Sequence, residues 1–289
     1  MSSGAAGNLA TVALFTGLID DAAVFPPGNS PLPVAVADHQ DRHAEPFARY
    51  VGPLLVPAPA AVEAADLAGG RPIRLGLIVR PGSPLEPLGQ ALEALTGRDH
   101  LTVAGIEVGW SPTWTDLLEH SLPTTVEIPR VVFDAALDDV AAAYHRGARV
   151  QAKFRTGATP VWAWPGEAEL AAFLVGCSER GMPFKLTGGL HHAVRAEHGT
   201  TAEPDPQHGL LNVVLAVRDA LDGAEAEAVA ARLGERDAAA LAAATIALTT
   251  TDVAELRASF TAYGCCTVTD PIGELAELHV LDPTASQGD

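Results

Sequence analysis

Only two lysines occur in this chain, Lys153 and Lys185, and each lies in an apolar, strand-like stretch that ends in glycine. The first reads Val150-Gln-Ala-Lys-Phe-Arg-Thr-Gly157 and the second Pro183-Phe-Lys-Leu-Thr-Gly-Gly189. Arginine carries every other basic position. A composition so depleted in lysine keeps it where arginine cannot substitute, and what arginine lacks is an amine that can lose its proton. Along a strand, alternate side chains share a face, so Lys153, Arg155 and Gly157 point one way and Lys185, Thr187 and Gly189 point together on the next strand. Two ammonium groups side by side repel, and that repulsion is expected to lower the pKa of at least one of them, as a nucleophilic lysine requires. The competing reading is structural: each lysine pairs with a buried carboxylate such as Glu107 or Glu127.

The elements that would position these residues are short apolar runs alternating with Ala-rich helical patterns, the signature of βα units and a parallel sheet. Strands are expected at 14–19, 52–56, 73–79, 104–110, 124–128, 149–155, 183–187 and 264–268. Helices of good periodicity fall between them, among them 167–180 and 137–146, the latter stopped by Gly147. Eight strands with intervening helices match an α/β (β/α)8 TIM barrel, read as one domain over 1–281. An open doubly wound sheet is the competing fold, but no G-x-G-x-x-G follows the first strand. One region breaks the alternation: a helical insertion near 222–250, before the last strand, reads as an added helical layer or a homo-oligomer contact. Residues 282–289 read as a frayed tail.

Composition narrows the partners. Apolar residues make up 48% of the 289 positions but aromatic ones only 5%, so the core is built from Ala, Val and Leu. A net charge of −18 leaves no basic stripe to neutralise phosphates, which argues against a nucleic-acid surface and against anionic membranes. The N-terminus lacks the basic and apolar regions of a signal peptide, and no run of about twenty apolar residues would span a bilayer. Three cysteines do not make a disulfide framework. The expectation is a soluble cytoplasmic protein.

The segment from Lys153 to His192 resembles the 2-deoxyribose-5-phosphate aldolase family, class I aldolases on a (β/α)8 barrel. That family carries a K-x-x-T-G strand followed by a K-x-x-G-G strand, which Lys153-Phe-Arg-Thr-Gly157 and Lys185-Leu-Thr-Gly-Gly189 match. Further likenesses are Gly105-Ile-Glu-Val-Gly109, offering Glu107 where the family has an acidic residue, and Tyr263-Gly-Cys-Cys-Thr267 in place of its serine-bearing phosphate turn. Leu18-Ile-Asp-Asp21 stands where its first strand ends in an Asp-Leu-Thr-like run. The resemblance implies a Schiff base on Lys153, with Lys185 as its electrostatic partner. It departs at Arg155, at the cysteines, at His191-His192 and in the helical insertion.

The implied activity is a lyase of carbohydrate metabolism, aldolase-like, making or cleaving a carbon–carbon bond of a small carbonyl compound without a cofactor. The amine of Lys153 would add to a carbonyl, and loss of water would leave an iminium as electron sink. Glu107 or Asp21 would move protons. Arg155, Thr187, Gly188, Gly189, His191, His192 and Gly264 would bind substrate, with Arg155 gripping an anionic group and the glycine amides an oxyanion or phosphate. Other readings stay open. Asp20-Asp21 also suits a turn or helix cap before Phe25-Pro-Pro-Gly28. A metal-assisted hydrolase or isomerase would use Asp21, His191, His192 and His208, although adjacent histidines diverge in an extended segment. A ligand-binding barrel without turnover is a third reading. His39 and His43 read as surface residues, Cys177 and Cys265-Cys266 as packing, and His208 as the opening of a helix.

Overall fold

The computed structural model describes residues 3–160, 162–199 and 204–282. Among the described residues ten strands run in chain order as β1 (Ile19–Asp21), β2 (Val51–Pro57), β3 (Ile73–Ile78), β4 (Leu101–Gly109), β5 (Thr124–Glu127), β6 (Val150–Arg155), β7 (Phe184–Thr187), β8 (Ala196–Gly199), β9 (Pro204–Gln207) and β10 (Phe260–Cys265). The α-helices are α1 (Ser3–Phe15), α2 (Leu32–Asp41), α3 (Ala61–Leu67), α4 (Glu86–Leu95), α5 (Phe133–His145) and α6 (Glu167–Glu179). After β7 come α7 (Leu210–Leu221), α8 (Ala226–Leu233), α9 (Ala238–Ile246) and α10 (Thr250–Ser259), and after β10 comes α11 (Thr269–Glu277). Eight of the strands pair in parallel and close into a barrel in the order β1-β10-β7-β6-β5-β4-β3-β2. The fold is a (β/α)8 TIM barrel. β8 and β9 form a separate antiparallel hairpin.

An aromatic strip outside the barrel fixes which way the lysines face. Phe154, Phe184 and Phe260 lie on β6, β7 and β10, and Phe173 of α6 packs among them. Phe154 and Phe173 stack with ring centres 5.0 Å apart, Phe173 meets Phe184 edge-on at 5.4 Å, and Phe184 stacks on Phe260 at 5.4 Å. All four rings are buried. Each contributes about 1.5–3 kcal/mol by leaving water. A one-residue slip of β6 or β7 would turn its phenylalanine into the barrel and its lysine into the helix layer, so burial of the strip sets Lys153 and Lys185 inward. The two lysines are register partners, as are Glu127 and Lys153.

The structure moves two strands from their expected places. Leu14 and Phe15 belong to the last turn of α1, which Gly17 ends at a positive φ of 59°, and β1 begins only at Ile19. The last strand starts upstream of the expected 264–268 because α10 ends at Ser259 and Phe260 is already extended. Within 222–250 lie α8 and α9. With α6 and α10 they enclose α7, whose residues Leu210–Val217 are all buried but for a sliver of Leu215. All of the expected tail except Asp282 lies outside the described residues. Among the described residues no single helix is long and apolar enough to cross a membrane.

Candidate active site

Inside the barrel, three carboxylates and three cations form an alternating chain, Asp20–Lys185–Glu107–Lys153–Glu127–Arg155. Glu107, from β4, bridges both lysines: its Oε2 lies 3.0 Å from Lys153 Nζ, and its Oε1 accepts from Lys185 Nζ. Lys185 donates also to Asp20 of β1. Lys153 Nζ reaches Glu127 Oε2 at 3.0 Å, and Arg155 Nε holds Glu127 Oε1 at 3.1 Å. Asp20, Glu107, Lys153 and Lys185 are each at most 4% exposed. Beneath them Gln151 Nε2 donates to Thr125 Oγ1 at 2.9 Å and Thr261 Oγ1 donates to Gln151 Oε1 at 2.6 Å, a polar floor.

These contacts reverse the expected electrostatics of the lysines. Burial would lower the pKa of the Lys153 ammonium, but Glu127 and Glu107 outweigh it and the net shift is upward. Lys185 is raised in the same way by Asp20 and Glu107. Repulsion between the two amines is relieved because Glu107 sits on both. Burial alone would raise the Glu107 carboxyl, yet Lys185 and Lys153 together bring it from 4.5 down to about 2. Asp20 keeps a raised pKa, because burial dominates and its ammonium partner is shared with Glu107. Glu127 is lowered against its burial by Lys153 and Arg155.

Asp21, expected among the proton-moving residues, is not brought to the lysines. Consecutive strand residues face opposite ways. Asp20 turns inward, and Asp21 turns outward to His39 Nδ1 at 3.0 Å and Arg42 Nη1 at 2.5 Å. His39 is therefore no surface residue. It is 3% exposed and fastens α2 to β1.

The expected binding residues split into two groups. Arg155, Thr187, Gly188 and Gly189 sit together at the C-terminal ends of β6 and β7, the end where barrel active sites are built. Gly188 and Gly189 both take positive φ, 69° and 71°, which turns the chain out of β7 beside the Arg155 Nη1 edge. Gly264 is the register partner of Thr187 on β10. His191 and His192 go elsewhere: His191 touches Cys265 Sγ through Nδ1 and Cys266 Sγ through Nε2, each at 3.5 Å. His192 Nδ1 meets Glu274 Oε1 at 2.6 Å, and its ring stacks on His198 at 3.5 Å. His208 donates from Nε2 to the Pro165 carbonyl at 2.9 Å, and burial brings its pKa down to about 4. Asp21, His191, His192 and His208 thus do not converge. Among the described residues no group of three or more His, Cys, Asp or Glu side chains is arranged to hold a metal ion.

Two indoles were missed in the sequence. A cavity of about 130 Å3 opens over β4, β5 and β6, lined by Glu127 and Arg155 as well as by Trp110 and Trp162. Trp110 Nε1 donates to Asp139 Oδ2 at 3.1 Å, and Trp114 donates to the same oxygen at 2.6 Å. Their only sequence signal was the scarcity of tryptophan.

These features define a (β/α)8-barrel protein with a buried lysine–carboxylate centre below the C-terminal ends of its strands. Against known proteins, no family model matches the chain and no curated protein matches it. A solved structure described as "QR15, an Aldolase" is similar at 17% identity and a TM-score of 0.38, covering 92% of this chain and 97% of that one.

Proposed function

We propose that this barrel is an aldolase-like lyase that forms an imine on Lys153. The observation that carries the reading is the placement of Lys153 Nζ between two carboxylates, each 3.0 Å away. Lys153 rests as an ammonium, so the reaction begins when it passes a proton to Glu127. The transfer converts an ion pair into a neutral pair, with no change in the charge that the barrel buries. The free amine adds to the substrate carbonyl, giving a carbinolamine. Glu127 returns its proton to the new hydroxyl, and water leaves. Ammonium and carbonyl thus become iminium and water, and the carboxylate is restored.

The iminium then draws the electrons of the neighbouring carbon–carbon bond while a carboxylate takes the proton of the β-hydroxyl. Asp20 is the better base of the remaining two, because Glu107 is held near 2 and binds a proton poorly. Asp20, rather than Asp21, therefore fills the proton-shuttle role. Lys185 holds Asp20 and Glu107 in place and keeps the centre neutral overall. The Gly188–Gly189 turn and the Arg155 Nη1 edge would receive an oxygen of the substrate.

The test is borohydride trapping with small aldehydes and ketones, read by intact mass and peptide mapping. Only two lysines and the N-terminal amine can react. A reduced adduct on Lys153, absent in Lys153→Met, is expected. Its rate should stay flat from pH 7 to 9 because the proton moves internally. No adduct across the panel would leave the cluster as a structural ion network and end the lyase reading.

A further inference from the structure

We infer that the cavity over β4–β6 is a subsite for a single planar ring, so that the substrate of the proposed imine chemistry carries an aryl group and not a phosphate. This rests on the reading above for its link to Lys153, but the walls argue for the ring by themselves. A volume of about 130 Å3 is close to the roughly 150 Å3 at which an apolar cavity admits benzene. Trp110 and Trp162 line it, together with the apolar rings of Pro81 and Pro129. Aromatic partners prefer offset or edge-on contact with indoles.

Both indoles are held in place before any ligand arrives. Asp139 of α5 fixes Trp110 by its Nε1–H, and the guanidinium of Arg130 lies over the Trp162 ring, 5.4 Å from its centre. Trp162 is still 42% exposed, a large apolar surface standing at the rim of the cavity. A ring inserted there would cover it.

The cations in the lining are already committed. Arg155 is paired with Glu127, and Arg130 gives Nη2–H to the Ala163 carbonyl at 2.9 Å and faces Glu169 at 3.6 Å. Neither offers an unneutralised charge to a dianion, while Glu127 in the lining would repel one. Glu127 lines the cavity and its Oε2 lies 3.0 Å from Lys153 Nζ, so a ring seated there would lie one residue away from the amine.

The experiment separates the ring site from the imine. Benzyl alcohol, which cannot form an imine, is titrated into the full-length protein by ligand-observed NMR, with inorganic phosphate as competitor. Borohydride trapping is then compared for benzaldehyde and propanal. Benzyl alcohol should bind, Trp162→Ala should weaken it roughly fivefold, and phosphate should not displace it. Benzaldehyde should trap on Lys153 faster than propanal, an advantage that Trp162→Ala removes. Benzyl alcohol binding weakened in Trp162→Ala, with no adduct from either aldehyde, would uphold the ring site and sink the imine. Equal adducts from both aldehydes, indifferent to Trp162→Ala, would uphold the imine and overturn the ring site. Displacement of benzyl alcohol by phosphate would overturn the ring site whatever the trapping shows. Trp162 lies on an exposed loop, and an unchanged thermal melt of the variant confirms that its fold is intact.

Discussion

Two sides of the barrel interior fill the same kind of space with opposite chemistry. On β4–β7 and β1 the inward positions hold the six-membered chain of charges. Level with that chain, β2 and β3 hold Leu55 and Gly76, with Leu55 lying across the faces of Gly76 and of Gly264 on β10. The apolar side gives the charged side a wall that water cannot solvate, so each charge depends on its neighbours in the chain. One side tolerates small errors by shifting a methyl group. The other has no slack, because moving any member leaves a buried charge without its partner.

The largest break in that contrast comes from Glu107→Gln, which removes a charge from both lysines at once. It should cost about 3–5 kcal/mol in urea unfolding and abolish trapping on Lys153. A loss below about 1 kcal/mol would mean that the chain is not held as described. Acid should act almost as strongly, and on the charged side. The Glu107 carboxyl titrates lower in the folded than in the unfolded chain, so its contribution is complete above pH 4.5 and disappears as pH falls through about 2. That amounts to about 3 kcal/mol. Asp20, with its raised pKa, works in the opposite sense and softens the limb. Unfolding free energy followed from pH 5 to pH 2 should fall steeply in the wild type and more gently in Glu107→Gln.

Smaller still, and the sharpest comparison, are two matched glycine substitutions. A Cβ at Gly52 would lie 2.0 Å from Asp20 Oδ1, and a Cβ at Gly76 would lie 2.6 Å from Leu55 Cδ2. Both meet the tip of a side chain. Gly52→Ala has to push Asp20 off Lys185, and should cost about 1–3 kcal/mol and slow trapping. Gly76→Ala asks only that Leu55 change its tilt, and should cost roughly 1 kcal/mol or less with trapping unaffected. Equal losses from the two would erase the distinction between the sides.

The sequence disclosed the barrel and most of its centre, for identifiable reasons. Lys153, Lys185 and Glu107 lie on strands long enough for alternation to say which residues share a face. β1 has three residues, two of them adjacent aspartates, so nothing local could tell Asp20 from Asp21. The pKa directions were misread for a related reason. Two lysines on neighbouring strands are visible as a pair, whereas Asp20, Glu107 and Glu127 come from three other strands, and only barrel closure brings them between the amines. α1 hid behind an apolar run that suits a strand as well as a helix, and the β8–β9 hairpin behind prolines and polar residues. The indole-walled cavity draws on the ends of β4, β5 and β6 together with a loop, a convergence with no sequence spacing of its own.

The chain from Asp20 to Arg155 balances, three negative charges against three positive, and so the net charge of −18 belongs entirely to the rest of the molecule. Opposed charges a few ångströms apart cancel at a distance, and their field fades within a few ångströms of the mouth. The outer shell projects a negative potential over about a Debye length, roughly 8 Å at physiological ionic strength. An anion diffusing toward the barrel is slowed by that shell, and a neutral carbonyl compound is not. Sorting of ligands by charge begins in the solvent, before any one of them has met a side chain.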